Sequence, residues 1–184
     1  MTATLRGPAP GHDALVASDT DLPTAFRRLA SHFPTGVTVV ATMMDGRPYG
    51  TTVNSFTTVS TDPLSVLVCL NRNGRLNRRL RASGHFSVSL LSEQQEHTAR
   101  WFADSRRGEA ADEFGGEEWH TAPRTGSPVL ASAVGYFDCR VSQLVDAGTH
   151  DVVIGEVLDL GHLNDRPPLL FWRSKLGAVA TFAR

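Results

Sequence analysis

The chain of 184 residues is 41% hydrophobic and carries a formal net charge of −1, which suits one domain with a real core. Near-neutral charge leaves no electrostatic footprint for nucleic acid or for an anionic membrane. Cys69 and Cys139 lie far apart in apolar runs, with neither a CxxC pair nor metal-type spacing, so buried free thiols in a reducing compartment are expected rather than a disulfide framework. With no long apolar span and no signal-peptide pattern, the expected location is cytoplasmic, with no nucleic acid and no membrane as partner.

Residues 1–20 are rich in Pro, Gly, Ala and Ser without a period, which predicts a disordered tail ahead of one domain at 21–184. Asp21 precedes Pro23, and Phe26, Leu29, Ala30 and Phe33 recur at helical spacing. That predicts a short amphipathic helix with Arg27 and Arg28 on its wet side, ended by Pro34. Residues 36–43 are β-branched and lead into Asp45-Gly46, a hairpin signal. The return strand enters GTTVNSFTTVS at 50–60, and after Asp62-Pro63 the apolar run Leu64 to Leu70 predicts a central strand.

Asn73-Gly74 breaks the pattern before a basic helix reaching Ala82, and His85 to Leu91 alternates as another strand. Ser92 with Gln95 forms a capping-box signature, opening a helix that turns Thr98, Trp101 and Phe102 toward the core. Residues 104–128 predict a surface excursion anchored by Phe114 and Trp119. Alternation returns from Val134 to Val145, with Phe137, Cys139 and Val141 on one face and Tyr136, Asp138 and Arg140 on the other. Residues 147–151 predict a turn, 152–160 a return strand, and 169–179 a last segment after Pro167-Pro168. Strands outnumber helices and follow one another through turns, so a closed antiparallel barrel with a few helices satisfies the pattern best. A sandwich is the fallback.

Familiar chemical motifs are missing: no GxGxxG after a strand, no GxxxxGK[ST], no HExxH and no GxSxG. The seven histidines are scattered. Little supports a side-chain nucleophile, which favours a cofactor that brings its own reactivity. The stretch 50–60 gathers Thr51, Thr52, Asn54, Ser55, Thr57, Thr58 and Ser60 around Val53 and Phe56. It offers donors with little bulk, so a flat, polar-edged ligand fits against it. An edge strand rich in Thr for its β-propensity alone is the other reading.

The order FRRLASHFPTGVTVVAT, GTTVNSFTTVSTDPLSVLVCL and FSVSLLSEQQEHTARWFA resembles the short flavin reductase family, the reductase components of two-component flavin-dependent monooxygenases. DEFGGEEW, GSPVLASAVGYFDCRV, GTHDVVIGEV and PLLFWRSKLG continue the match over roughly residues 25–180. The resemblance implies a mainly β fold with a few helices, the split β-barrel of the flavin-reductase / FMN-binding type. It also implies a homodimer, a partner flavin-dependent monooxygenase, and hydride transfer from NADH to a flavin. FMN or FAD is expected, with FAD favoured and NADH preferred to NADPH. A flavin-binding module without turnover is the alternative.

The resemblance further implies that Thr35, Gly36, Val37 and Thr38, then Thr52, Val53, Asn54 and Ser55, border the flavin ring and ribityl chain. Donors there would stabilise the charge that reduction places near N1 and O2. Ser60, Thr61, Leu70, Asn71 and Arg72 match the phosphate side. Asn73, Gly74 and Arg75 open a helix, a ready anion site, while Arg78, Arg79 and Arg81 are expected in solvent. His150, in the turn GTHD, matches a histidine beside the nicotinamide, although Thr149 replaces the acidic residue usual in the family. Phe171, Trp172, Arg173 and Ser174 match an aromatic–Arg segment near the nicotinamide, or else supply a core aromatic pair.

Overall fold

The computed structural model describes residues 21–106 and 113–178. The tail expected at 1–20, part of the expected excursion and the last residues of the chain lie outside them. Helix α1 spans Leu22–Ala30, with Asp21 accepting from the Thr24 amide at 2.8 Å as its N-cap. Capping oxygens of this kind satisfy one of the amides a helix start leaves open. The helix is amphipathic, as its spacing predicts. Its apolar side is nevertheless left uncovered among the described residues: Phe26, Leu29 and Phe33 are 71%, 76% and 74% exposed.

Strands β1 (Thr35–Gly36), β2 (Thr38–Met44), β3 (Arg47–Val53), β4 (Thr57–Thr61) and β5 (Leu64–Asn71) follow, joined by short turns. The β2–β3 turn places Asp45 and Gly46 at φ 51° and 72°, the left-handed pair that a two-residue hairpin requires. Helix α2 (Arg75–Ser83) ends on Gly84 at φ 75°, the left-handed cap for which glycine carries no Cβ penalty. After β6 (His85–Leu90), the Ser92–Gln95 capping box closes a single turn of 3₁₀ helix that runs into α3 (Glu96–Ala103). Strands β7 (Trp119–Thr121), β8 (Pro128–Leu130), β9 (Gly135–Ala147), β10 (His150–His162), β11 (Leu169–Trp172) and β12 (Lys175–Ala178) complete the described chain.

Seven strands form one antiparallel sheet in the order β3-β2-β6-β9-β10-β5-β4. The sheet curls so that β3 comes alongside β5, yet no ladder joins them. The closed barrel expected from strand count is therefore corrected to an open, split one. Strands β1, β11 and β12 make a separate three-stranded sheet, and β7 pairs β8. Two hairpins escaped the sequence reading. β7–β8 lies within the expected excursion, and β11–β12 turns on Arg173 and Ser174 at φ 47° and 60°, positions where no glycine signals the bend. His150, expected inside a turn, is instead the first residue of β10, directly opposite Ala147.

β2 is buried on both faces. Val40 points into the interior with Val66, Val68, Leu80, Phe86, Val88 and Val153. Val39 and Ala41 point outward to Ala99, Phe102, Phe114, Leu130 and Leu169. Each such Val, Leu or Phe contributes about 1.5–3 kcal/mol through burial. Phe114 anchors the excursion by meeting Phe102 edge-on, their ring centres 5.0 Å apart. Both cysteines are free, and burial pushes the Cys139 thiol up to about 12, so that residue is inert at neutral pH.

Asp138 shares a strand face with exposed Arg140, yet its side chain is fully buried. It accepts from the amides of Arg124 and Thr125 at 2.8 and 3.2 Å, and from the Thr125 hydroxyl at 2.5 Å. The same hydroxyl meets Ser127, whose Oγ lies 2.9 Å from His85 Nδ1. Burial holds His85 below its ordinary value of 6.5, with Asp138 acting in the opposite sense. The folded state thus favours the neutral imidazole, and the unfolded chain binds more protons as pH falls below 6.5, so stability falls with it. The thermal midpoint is expected to be lower at pH 5 than at pH 7.5, and His85→Gln should flatten that dependence in calorimetric scans.

Candidate active site

β3 has two polar neighbours in sequence, Thr51 and Thr52, that face opposite ways. Both hydroxyls reach carbonyls of α3: Thr52 donates to Ala99 at 2.6 Å, and Thr51 to Phe102 at 3.4 Å. Such bonds satisfy acceptors near a helix end. Gly50 permits this docking, because a Cβ there would stand 2.7 Å from the Phe102 ring. The strand and helix so joined divide two adjacent cavities that share Ala103.

The first cavity has a volume of about 270 Å³ and is lined by Val37, Thr52, Asn54, Ala99, Arg100, Ala103, Phe171, Ser174 and Leu176. It is a largely apolar slot with an amide at its lip. β1 pairs Thr35 with Phe171, a residue of this lining, but Thr35 itself lines neither cavity, and its hydroxyl is buried with no hydrogen-bond partner. On the far side, the Trp172 indole donates to the His32 carbonyl at 3.2 Å and the Arg173 amide to the Ser31 carbonyl at 2.7 Å. The Arg173 guanidinium lies 4.7 Å from the Trp172 ring centre. The β11–β12 turn is thereby fastened to the segment after α1.

The second cavity, about 490 Å³, contains Leu70, Asn71, Asn73, Gly74 and Arg75 with Tyr49, Thr51, Asp104 and Glu113. Asn71 Oδ1 accepts from the Asn73 amide at 2.9 Å, and the Gly74 amide donates to the Asn71 carbonyl at 2.9 Å. A Cβ at Gly74 would stand 2.9 Å from that carbonyl, so the tight turn needs glycine. Gly74 caps α2 without a side-chain bond. An uncapped helix start beside a cation is suited to an anion. Arg75 is paired with Glu113 at 2.9 Å.

Of the expected residues, Val37, Thr52, Asn54, Phe171 and Ser174 meet at the first cavity, and Leu70, Asn71, Asn73, Gly74 and Arg75 at the second. Thr38 and Val53 are buried beside them, the Thr38 hydroxyl donating to the Val53 carbonyl at 2.9 Å. Gly36 leaves open space. Ser55 accepts from the Cys69 amide at 2.9 Å, and Ser60 closes a local turn with Asp62. Neither these serines nor Thr61 lines either cavity. His150 is exposed, its Nδ1 2.9 Å from the Thr149 hydroxyl. It lines neither cavity, but its partner across the ladder is Asn71, on the rim of the second.

Three arginines behave differently from expectation. Arg72 is committed to Asp146 and Asp151. Arg79, expected in water, sits 4.1 Å from the Tyr49 ring centre, a cation–π contact. Arg81, also expected in water, pairs with Asp151 at 2.6 Å, whereas Arg78 stays exposed. Sequence reasoning missed Ala99, Arg100 and Ala103 as wall residues of the first cavity. Their i, i+4 spacing was the available signal, masked by reading α3 as core alone.

Residues 30–180 match the family model described as flavin reductase like domain. An NADH-dependent FAD reductase of Streptomyces globisporus is 39% identical over 145 residues, 79% of each chain. The reductase subunit of a flavin-dependent monooxygenase from Rhodococcus jostii (strain RHA1) is 34% identical, over 91% of this chain and 83% of that one. Among solved structures, a Streptomyces globisporus C-1027 NADH:FAD oxidoreductase in complex with NAD and FAD fragments aligns with a TM-score of 0.81 at 35% identity, covering 88% of this chain and 95% of the other. The flavin reductase component of a bacterial two-component tryptophan halogenase aligns at 0.80 with 32% identity, covering 85% and 98%. A match across most of the chain, over the same split sheet, means that this protein belongs to the flavin reductase family.

Proposed function

We propose that the protein is an NADH-dependent flavin reductase that supplies reduced flavin to a partner monooxygenase. The observation that carries this is the pair of cavities that share Ala103: an apolar slot with the Asn54 amide at its lip, next to an Asn-Gly-Arg turn at a helix start. A bound flavin supplies a two-electron acceptor for hydride from a nicotinamide. The chain itself contributes position and exclusion of water. Val37, Ala99 and Phe171 exclude solvent from the slot, while the Asn54 amide offers a hydrogen bond at a ring edge. Asn73, Gly74 and Arg75 hold phosphate, Arg75 exchanging its bond to Glu113 for one to the ligand. Phe171, Trp172, Arg173 and Ser174 form the nicotinamide side, and His150 donates to the carboxamide. No general base is needed for hydride transfer.

FAD with NADH is the reading preferred here. The relatives named NADH-dependent FAD reductase and NADH:FAD oxidoreductase support it, as does the added volume next to Asp104 and Ser105. Two free thiols suit the cytoplasm, and no described helix is long and apolar enough to cross a membrane. The working unit is a homodimer in which the bare side of α1 packs on a second copy. Leu22, Phe26, Leu29 and Phe33 then leave water, and the segment they adjoin already holds the β11–β12 turn at the first cavity.

Steady-state NADH oxidation is expected to require added FAD and to saturate with it; oxidation absent, or indifferent to added flavin, would refute the reductase and leave a flavin-binding module. Asn54→Ala removes one hydrogen bond of about 0.5–1.5 kcal/mol, so the flavin KM should rise about 2- to 12-fold. In sedimentation, the wild type should run as a dimer and Phe26→Asp/Leu29→Asp as a monomer with most activity lost. A monomeric wild type would remove the dimer from this account.

A further inference from the structure

One buried carboxylate is left unused by the reading above. Asp151, next to His150 in β10, has a side chain with no exposure at all. Its Oδ1 accepts from Arg72 Nε and Nη2 at 3.3 and 3.1 Å. Its Oδ2 accepts from Arg81 Nε and Nη2 at 3.3 and 2.6 Å, and from Asn77 Nδ2 at 2.5 Å. Each oxygen is thus held by its own guanidinium through charge-assisted hydrogen bonds, which are stronger than neutral ones.

These donors come from two places that matter. Asn77 and Arg81 are spaced i, i+4 on one face of α2, whose first turn borders the second cavity. Arg72 lies inside the Asn71–Arg75 turn, and its amide donates to the Thr149 carbonyl at 3.0 Å. Arg72 also reaches Asp146 on β9, so both arms of the β9–β10 hairpin are held. Arg81 first, and then Asn77, keep the Asp151 carboxyl down at about 2 against the opposing effect of burial. The anchor is therefore ionised at every pH at which the protein would work.

We propose that Asp151 is a positioning residue that locks the His150 turn to the phosphate-binding turn at the start of α2, so that both substrates are set by one rigid joint. This rests on the flavin reductase reading and deepens it. Asp151 touches neither substrate; it acts through His150 on one side and through Asn73, Gly74 and Arg75 on the other. An amide in its place keeps the shape but loses the charge and turns an N–H toward a guanidinium. That releases Arg81 and leaves Arg72 to Asp146 alone, which loosens both turns.

The test is steady-state kinetics with NADH and FAD on purified full-length Asp151→Asn, with circular dichroism confirming the fold. Arg81→Gln serves as a milder second variant, because Arg81 is partly exposed and its loss leaves Arg72 and Asn77 in place. Loss of charged hydrogen bonds should raise the KM for FAD and the KM for NADH together, by about tenfold in Asp151→Asn and about threefold in Arg81→Gln. A purely structural role would reduce the active fraction, lowering kcat and leaving both KM values alone. On a His150→Ala background, Asp151→Asn should add nothing further to the NADH KM while still raising the FAD KM, since coupled residues are non-additive. KM values within twofold of wild type in both variants, or a full additional NADH effect without His150, would overturn the proposal. A wild type inactive with NADH and FAD would instead overturn the reductase reading on which it rests.

Discussion

Among the described residues β3 pairs with a strand on one side only, and the rest of the molecule is arranged around that sheet edge. A sheet edge exposes a row of amides and carbonyls that must be covered or left wet. Here the opposite edge of the curled sheet, at β4 and β5, does not close the gap. α3 docks on β3 through Thr51 and Thr52, and α2 packs near its other end. Covering an edge with helices leaves spaces that strand pairing would have filled, and both cavities lie in them.

The two cavities differ in character because the elements beside them differ. The first is bounded by Val37, β3, α3 and the β11–β12 hairpin, and Val37, Ala99, Phe171 and Leu176 belong to the outer apolar cluster or pack on it. It suits a flat heterocycle. The second is bounded by the end of β5 and the start of α2, where the Asn71–Arg75 turn brings Arg75 to the helix start. It suits an anion. A flavin nucleotide has one end of each kind, and the proposed ligand would span the wall that the two cavities share at Ala103.

Buried charge in this protein is spent on joints. Asp138 ties the excursion to β9 through two amides and a hydroxyl. Asp151 ties β10 to α2 and to the turn before it. A buried carboxylate is costly unless every lone pair finds a donor, and both are richly supplied. Such joints hold loops in one arrangement, which matters more to a reaction governed by ring separation than net stability does.

Much of this was legible in the chain itself. The Asp45-Gly46 hairpin, the Ser92–Gln95 box and the alternating strands are local, set by backbone sterics and nearest neighbours. So was the gathering of Thr52 and Asn54 with Phe171, although only through a family pattern that spans the chain. Other features depended on what the fold brings together. The burial of Asp138 and Asp151 and the capture of Arg72 and Arg81 involve partners 13 to 79 positions apart, and the sheet's failure to close is likewise long-range. Alternation along a strand marks which face a residue takes, but not what awaits it there. The Arg173-Ser174 bend escaped for a related reason: tertiary bonds to Ser31 and His32 hold a turn that its own residues would not favour. Local stereochemistry was decided within the chain, and long-range charge pairing only by the folded structure.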